Sequence, residues 1–391
     1  MVQNWPTKKL GAICDVNGGN AAPQNYAVFS NDGIPFVRMQ DLGRYHVTDN
    51  LTETRDKIKK EAINKLGIKI FPKGSIILPR SGSVFANHRA ILGIDAAVVS
   101  HIAILNNYKG IEPRYLFWYL TQLDIGRHAV KTSNVDSISF QRLKKFEIPL
   151  PPVATQKQIV ERLDKIAEAQ KLNNGLIQKT DELFQSLLHK ELNPADKNWE
   201  TKKLGSVFER ITDAILPTKQ PEQKFNFIGL ENIESNTSRL INISPVEGSF
   251  IKSTKTRFKI GDVLYGKLRP YLNKVWLADF DGICSTDIWA LRAKEGIILP
   301  QLLGAILQQS SIVQKSSASM AGANLPRANK DIFDKITITL PPLEIQKRIV
   351  AKLSAVQDYK KQLLEQKVKL KELFDSALGK SMASDKKSKD A

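Results

Sequence analysis

A chain of 391 residues is too long for one ordinary domain and long enough for two. With 42% apolar and 25% charged residues it is globular in composition, and no run approaches the ~18 uninterrupted apolar residues of a membrane helix. Lys and Arg number 58 against 40 Asp and Glu, a net charge of +18 that suits a polyanionic partner, nucleic acid first and an anionic membrane surface second.

In chain order, the opening MVQNWPTKKLG lacks the apolar core of a signal peptide, so a cytoplasmic protein is expected. The two cysteines, Cys14 and Cys284, form no CxxC pair, and the histidines are scattered, so neither a disulfide framework nor a metal site is expected. The body that follows Trp5 alternates apolar runs such as GIPFVRM, FPKGSIIL and AAVVSHIAIL with Gly, Asn and Asp turn signals, a pattern of short strands. His101, inside one of these runs, reads as a satisfied core residue. PRYLFWYLTQL, from Pro113 to Leu123, predicts a helix that opens on proline, and FEIPL at Phe146 a closing strand.

The stretch LPPVATQKQIVERL at Leu150 then begins a long helical pattern, and LPPLEIQKRIVAKL at Leu340 repeats it. Leu150–Lys190 aligns with Leu340–Lys380 without gaps at an offset of 190, with sixteen of 41 positions identical. WPTKKLG at Trp5 is answered by WETKKLG at Trp199, FPKGSIIL at Phe71 by FKIGDVLY at Phe258, and VSHIAIL at Val99 by STDIWAL at Ser285. The chain therefore reads as a domain over 1–150, a helix over 151–192, a second domain over 193–340, a second helix over 341–380 and a disordered tail over 381–391.

In the second helix Ile349, Leu353, Val356, Lys360, Leu363, Lys367, Leu370, Phe374 and Ala377 follow the 4,3 alternation of a coiled-coil seam. The equivalent seam of the first runs from Ile159 through Leu163, Ile166, Gln170, Asn173, Ile177, Thr180 and Phe184 to Leu187, polar in its middle. Gly175 opens the alternative of a split first helix, but its gapless counterpart is an ordinary Leu-Leu-Glu stretch, which favours continuity. Two homologous seams in one chain are simplest partners for each other. The fold class expected is α+β: two mixed α/β domains related by a pseudo-twofold axis and separated by an antiparallel coiled coil. A rod of about 50 Å would hold two readers slightly more than one DNA turn apart.

With duplication, spacing and the LPP-x-x-x-Q-x-x-I-V-x-x-L motif in hand, nearly the whole chain resembles the specificity subunit of type I restriction-modification enzymes. GDVLYGKLRPYLNKVW (Gly261–Trp276) and GICSTDIWAL (Gly282–Leu291) are also similar to that family, whereas GSIILPRSGSVFANH (Gly74–His88) departs from it. The resemblance implies a non-catalytic subunit that binds an asymmetric bipartite double-stranded DNA target, one half-site per target-recognition domain, with the helices setting the spacer. It also implies two modification subunits, which carry S-adenosylmethionine and methylate adenine N6, and two restriction subunits, which use ATP and Mg. The alternative is a self-contained DNA methyltransferase or nuclease with duplicated recognition domains. Against it, no Asn-Pro-Pro-aromatic motif is present, since NPAD at Asn193 lacks the second proline and the ring, and GSIILPRSGS lacks the GK[ST] of a phosphate loop. A scaffold with incidental charge is the third reading.

Base edges are read by donors and acceptors on loops, and phosphates by Lys, Arg and small polar groups. In the first domain the candidates are Arg80, Ser81, Asn87, His88 and Arg89 after a predicted strand, then Arg127, His128, Lys131, Ser133 and Asn134. In the second they are Lys267, Arg269, Asn273 and Lys274, then Ser317, Ser319, Asn324 and Arg327 in a predicted loop over Gln314–Lys330. Tyr271 and Trp276 read as core or strand-face residues. Gln156, Lys157, Gln346 and Lys347 recur at the helix starts, and docking of a modification subunit is the task the family suggests for them.

Overall fold

The computed structural model describes residues 5–45, 50–130, 136–192, 199–318, 320 and 325–382. The chain divides into two compact units, Met1–Gly175 with Glu365–Ala391, and Leu176–Leu364. Each unit therefore takes part of both long helices.

In the first unit, strand Thr7–Lys9 pairs antiparallel with Glu147–Pro149, so the Trp-led start meets the strand before the Pro-Pro stop. A four-stranded antiparallel sheet follows the order Asp15–Gly18, Ile102–Asn106, Ile76–Pro79, Ala90–Ile91. Its central strands are near-continuous apolar runs because both faces are covered. Ile76, Leu78, Ala103 and Leu105 join a core with the helices. Ile77, Ile102 and Ile104 join a second core with the other sheet, built from Asp56–Ile58, Phe29–Val37, Ala96–Val98 and Ile70–Phe71. Period-two alternation thus feeds one strand's residues into two cores.

Helix Pro113–Gln122 opens on proline and buries Tyr115, Leu116, Trp118 and Leu120. It packs against both long helices of the unit. Trp118 Nε1 donates to Asp164 Oδ1 at 2.8 Å, and the Trp118 ring stands edge-on to Phe374 at 5.3 Å. Gln122 Nε2 donates to the Leu378 carbonyl at 3.2 Å. Ile159, Leu163 and Ile166 share this core with Ala377 and Leu378; each such buried Leu or Ile side chain contributes about 1.5–3 kcal/mol.

The second unit repeats the plan. Glu200–Lys203 pairs antiparallel with Thr337–Leu340. Phe208–Arg210, Ile288–Ala293, Val263–Gly266 and Val275–Leu277 form its main sheet, and Ala214–Ile215, Lys255–Phe258, Gly282–Cys284 and Phe227–Ile228 the other. Val263 and Tyr265 face the helical core while Leu264 faces the opposite one. A small two-stranded antiparallel sheet, Lys224–Phe225 with Val246–Glu247, has no counterpart among the described residues of the first unit.

The long helices, Val153–Leu192 and Leu343–Met382, are 40 residues each, about 60 Å. Gly175 sits inside the first without breaking it. Within the second unit Lys352 pairs with Glu191 at 2.6 Å and Lys360 with Asp181, numbers rising along one helix as they fall along the other, so the packing is antiparallel. In the first unit Gln170 Nε2 donates to the Leu370 carbonyl at 3.1 Å in the same sense. The buried stripe follows the seam through Asn173, Thr180 and Phe184, then passes to Leu188 instead of Leu187. The step is the drift of a straight 3.6-residue helix against a 3.5 repeat.

Among the described residues no helix is long and apolar enough to cross a membrane, and no group of three His, Cys, Asp or Glu could hold a metal.

Candidate nucleic-acid interface

Each domain brings two sequence-distant loops together through one backbone frame. In the first, Gly82 N–H donates to Asp136 O at 3.1 Å, Ile138 N–H to Arg80 O at 2.9 Å, and Arg80 N–H to His101 O at 2.8 Å, with Ser81 bridged to Ser137. In the second, Arg269 N–H donates to Pro326 O at 2.8 Å, Ala328 N–H to Lys267 O at 2.8 Å, and Lys267 N–H to Asp287 O at 3.0 Å, with Leu268 bridged to Arg327. The residues that follow, Ser139 and Asn329, cap short helices with their side chains, which fixes where each second loop ends.

Side chains on the frames differ. Arg80 stacks on Phe140 at 4.7 Å, and its Nε has no hydrogen-bond partner among the described residues. Ser81 Oγ and His101 Nδ1 share a hydrogen bond of 2.6 Å. Lys267 lies over Trp289 at 5.9 Å, and Arg327 Nε donates to Asp287 Oδ1 at 2.8 Å. That carboxylate's hydrogen bond holds the Arg327 guanidinium above its usual pKa. Arg269 is exposed, in the left-handed region at φ 52°. Lys274 Nζ donates to Leu230 O at 2.6 Å. Arg127 is exposed and paired with Asp124 at 2.9 Å, and His128 packs on Phe146 at 5.0 Å. Half-buried Asn87 and His88 complete the accessible set in the first domain.

Several expected contact residues are occupied inside the fold. Arg89 is 0% exposed, and its guanidinium donates to His88 O at 2.6 Å, to Asn87 Oδ1 and to Leu123 O at 3.2 Å. Burial pushes its pKa down to about 9, against the opposing pull of Asp124. Ser81 and Asn273 are also buried; Asn273 Nδ2 donates to Asn236 Oδ1 at 3.1 Å. Ser317 lies on a helix, Ser310–Ala318, and not in the loop expected there. Lys131, Ser133, Asn134, Ser319 and Asn324 lie outside the described residues.

The helix-start glutamines are a clear correction. Gln156 and Gln346 are 0% and 1% exposed and present nothing to a docking partner. Gln156 Oε1 accepts from Glu112 N–H and its Nε2 donates to Pro151 O, both at 2.8 Å. Gln346 Oε1 accepts from Leu299 N–H at 2.9 Å, and its Nε2 donates to Ile297 O and Pro341 O at 2.8 and 2.9 Å. Each glutamine ties the Pro-Pro turn to the residue ahead of the domain's proline-led helix, so its recurrence has an internal cause. Lys157 and Lys347 remain exposed, the latter paired with Glu344 at 2.8 Å.

Two further readings are corrected. His101 is exposed, because its run turns outward where the loop frame begins, and Tyr271 is 50% exposed on a short turn, whereas Trp276 is core. Beside His101 opens a cleft of about 460 Å³ lined by Tyr26, Arg38, Gln40, Arg55 and Asp56. These residues lie in segments with no local cluster of like type, so the sequence carries no signal for the cleft.

Two copies of one fold, each carrying a braced loop pair of cations, amides and hydroxyls and each feeding a long helix, define a duplicated DNA-recognition protein. The chain belongs to the family described as type I restriction modification DNA specificity domain, whose sequence model matches residues 2–181 and 196–373. It is 26% identical to the EcoDI specificity subunit of Escherichia coli, across 97% of this chain and 88% of that one. It is likewise 26% identical to the putative MjaX specificity subunit of Methanocaldococcus jannaschii, across 97% and 92%. Its fold is similar to the S subunit from M. genitalium, with a TM-score of 0.58, 13% identity and coverage of 97% and 96%. A chain from a structure addressing complex assembly and conformational transition of the type I R-M system gives a TM-score of 0.57, 16% identity and coverage of 97% and 98%. The protein is thus the DNA-recognition component of a restriction-modification system, and the reading as a self-contained methyltransferase or nuclease falls.

Proposed function

We propose that this subunit reads an asymmetric bipartite duplex in the cytoplasm, one half-site per domain, with the two long helices setting the spacer. The observation that carries the reading is the duplicated frame, in which equivalent loops bear different side chains: Arg80 and His101 in one domain, Lys267, Asp287 and Arg327 in the other. Different donors and acceptors at equivalent places suit two different half-sites. Arg80, Arg127, His128, Lys267, Arg269, Lys274 and Arg327 are the cations and rings assigned to DNA, with Asn87 and His88 beside them. Lys131, Ser133, Asn134, Ser317, Ser319 and Asn324 stay candidates; buried Ser81, Arg89 and Asn273 support the loops instead.

Two modification subunits would dock on the helices, with Lys157 and Lys347 as accessible contacts, and two restriction subunits would complete the assembly. S-adenosylmethionine belongs to the modification subunits, and ATP and Mg to the restriction subunits. The test is a map of methylated adenines in DNA from cells making this chain with its modification partner. A two-part asymmetric site is expected, and removing four residues from both helices should shorten its spacer. An unchanged spacer would remove the helices' role as a ruler. Binding in vitro should weaken steeply from 50 to 200 mM salt, by about 10³-fold for six phosphate contacts.

A further inference from the structure

At one position of the shared frame the two domains make opposite choices. Gly82, whose N–H reaches Asp136 O, has φ 82° in the first domain, and a Cβ built there meets nothing within 4 Å. Its counterpart in the frame is Arg269, whose N–H reaches Pro326 O, at φ 52° in the second. Left-handed backbone costs a residue with a side chain on the order of 1–2 kcal/mol, and glycine almost nothing. The second domain therefore keeps an exposed arginine where the first uses the residue its backbone favours. Packing does not explain that choice, because the side chain is exposed. The surroundings hold the strained residue in place: Leu272 N–H donates to Arg269 O at 2.9 Å, Pro270 is buried, and Asn273 resumes φ 48° after the turn. Strain held at an exposed polar position is a mark of function.

We infer that Arg269 reads a guanine in the second half-site with its guanidinium fork, at a place where the first domain makes no side-chain contact. This rests on the bipartite reading proposed above. A forked donor matches guanine O6 and N7, the commonest specific contact in a major groove. Its neighbours are a second cation, Lys267, and the Arg327–Asp287 pair, both fixed by the frame.

The experiment uses the full chain with its modification subunits, comparing wild type with Arg269→Gly and Arg269→Lys by methylation-site mapping and by thermal unfolding. Loss of a guanine requirement at one position of the second half-site, by roughly 5- to 150-fold, is expected for both variants, with the first half-site unchanged. The glycine variant should melt at the same temperature or higher, and the lysine variant should keep the salt dependence of binding. Three results would overturn the inference: a fall in melting temperature of the glycine variant beyond about 2 °C, weakening spread evenly over all bases, or no change in preference. If wild type itself methylates no two-part site, the bipartite reading fails first, and the two failures are told apart.

Discussion

The loop after strand Ile76–Pro79 in the first domain is braced by a buried cation, Arg89, which reaches the carbonyls of His88 and Leu123. The equivalent loop in the second domain is braced by a pair of amides. Asn273 donates to Asn236 Oδ1 at 3.1 Å, and Asn236 N–H returns to Asn273 O at 3.2 Å. The backbone frame is common to both, while the supports behind it are not. A fold that fixes its reading loops by main-chain hydrogen bonds is free to change both the side chains that face DNA and those that prop the loop from behind.

The strongest test of what the domains share is the buried glutamine. Gln346→Leu orphans one backbone N–H and two carbonyls, and Gln156→Leu one of each, so stability should fall by about 4 and about 3 kcal/mol. Denaturant unfolding of the full chain measures both; a neutral result in either domain would break the parallel. The braces come next. Arg89→Met removes a costly buried charge but orphans its acceptors, and about 2 kcal/mol should be lost, with faster hydrogen exchange at Ile125, whose N–H donates to the Asn87 Oδ1 that Arg89 holds. Asn273→Ala should cost about 1–2 kcal/mol, and its exchange should quicken at Asn236 instead. Exchange that spread equally in both variants would merge the two braces into one. The smallest effect concerns the helices: Gly175→Ala, whose Cβ meets nothing, should add about 1 kcal/mol, and Glu365→Gly should remove a similar amount.

Sequence periodicity disclosed the long helices and their seam because 40 residues of 3.6-period pattern outweigh any single exception such as Gly175. Apolar runs such as SIIL and IAIL disclosed buried strands, though not that each strand serves two cores. The site was harder to read. Gln156 and Gln346 look like surface residues because glutamine usually is one; their burial depends on a backbone N–H 44 and 47 residues away, that of Glu112 and of Leu299. Arg89 failed for the same reason, since three acceptors around a turn cannot be seen along the chain. The end of helix Ser310–Ala318 reads as loop from Gln314 onward because its serines have weak helical preference, overridden by burial of Ile312 and Ser316. Within the frames, the hydrogen bonds between paired loops join residues 54 to 61 apart, which no local pattern encodes.

The first compact unit is closed by residues from 365 onward, among them Phe374, Ala377 and Leu378 over Trp118 and its neighbours, while Leu176–Leu364 is continuous. On the ribosome, the unit that starts first therefore finishes last. The intervening residues, Leu176–Leu364, take roughly 10–40 s to translate at 5–20 residues per second. Through that interval the nascent first unit presents an uncovered tryptophan and the bare edge of its helix, a substrate for chaperones until the last helix emerges.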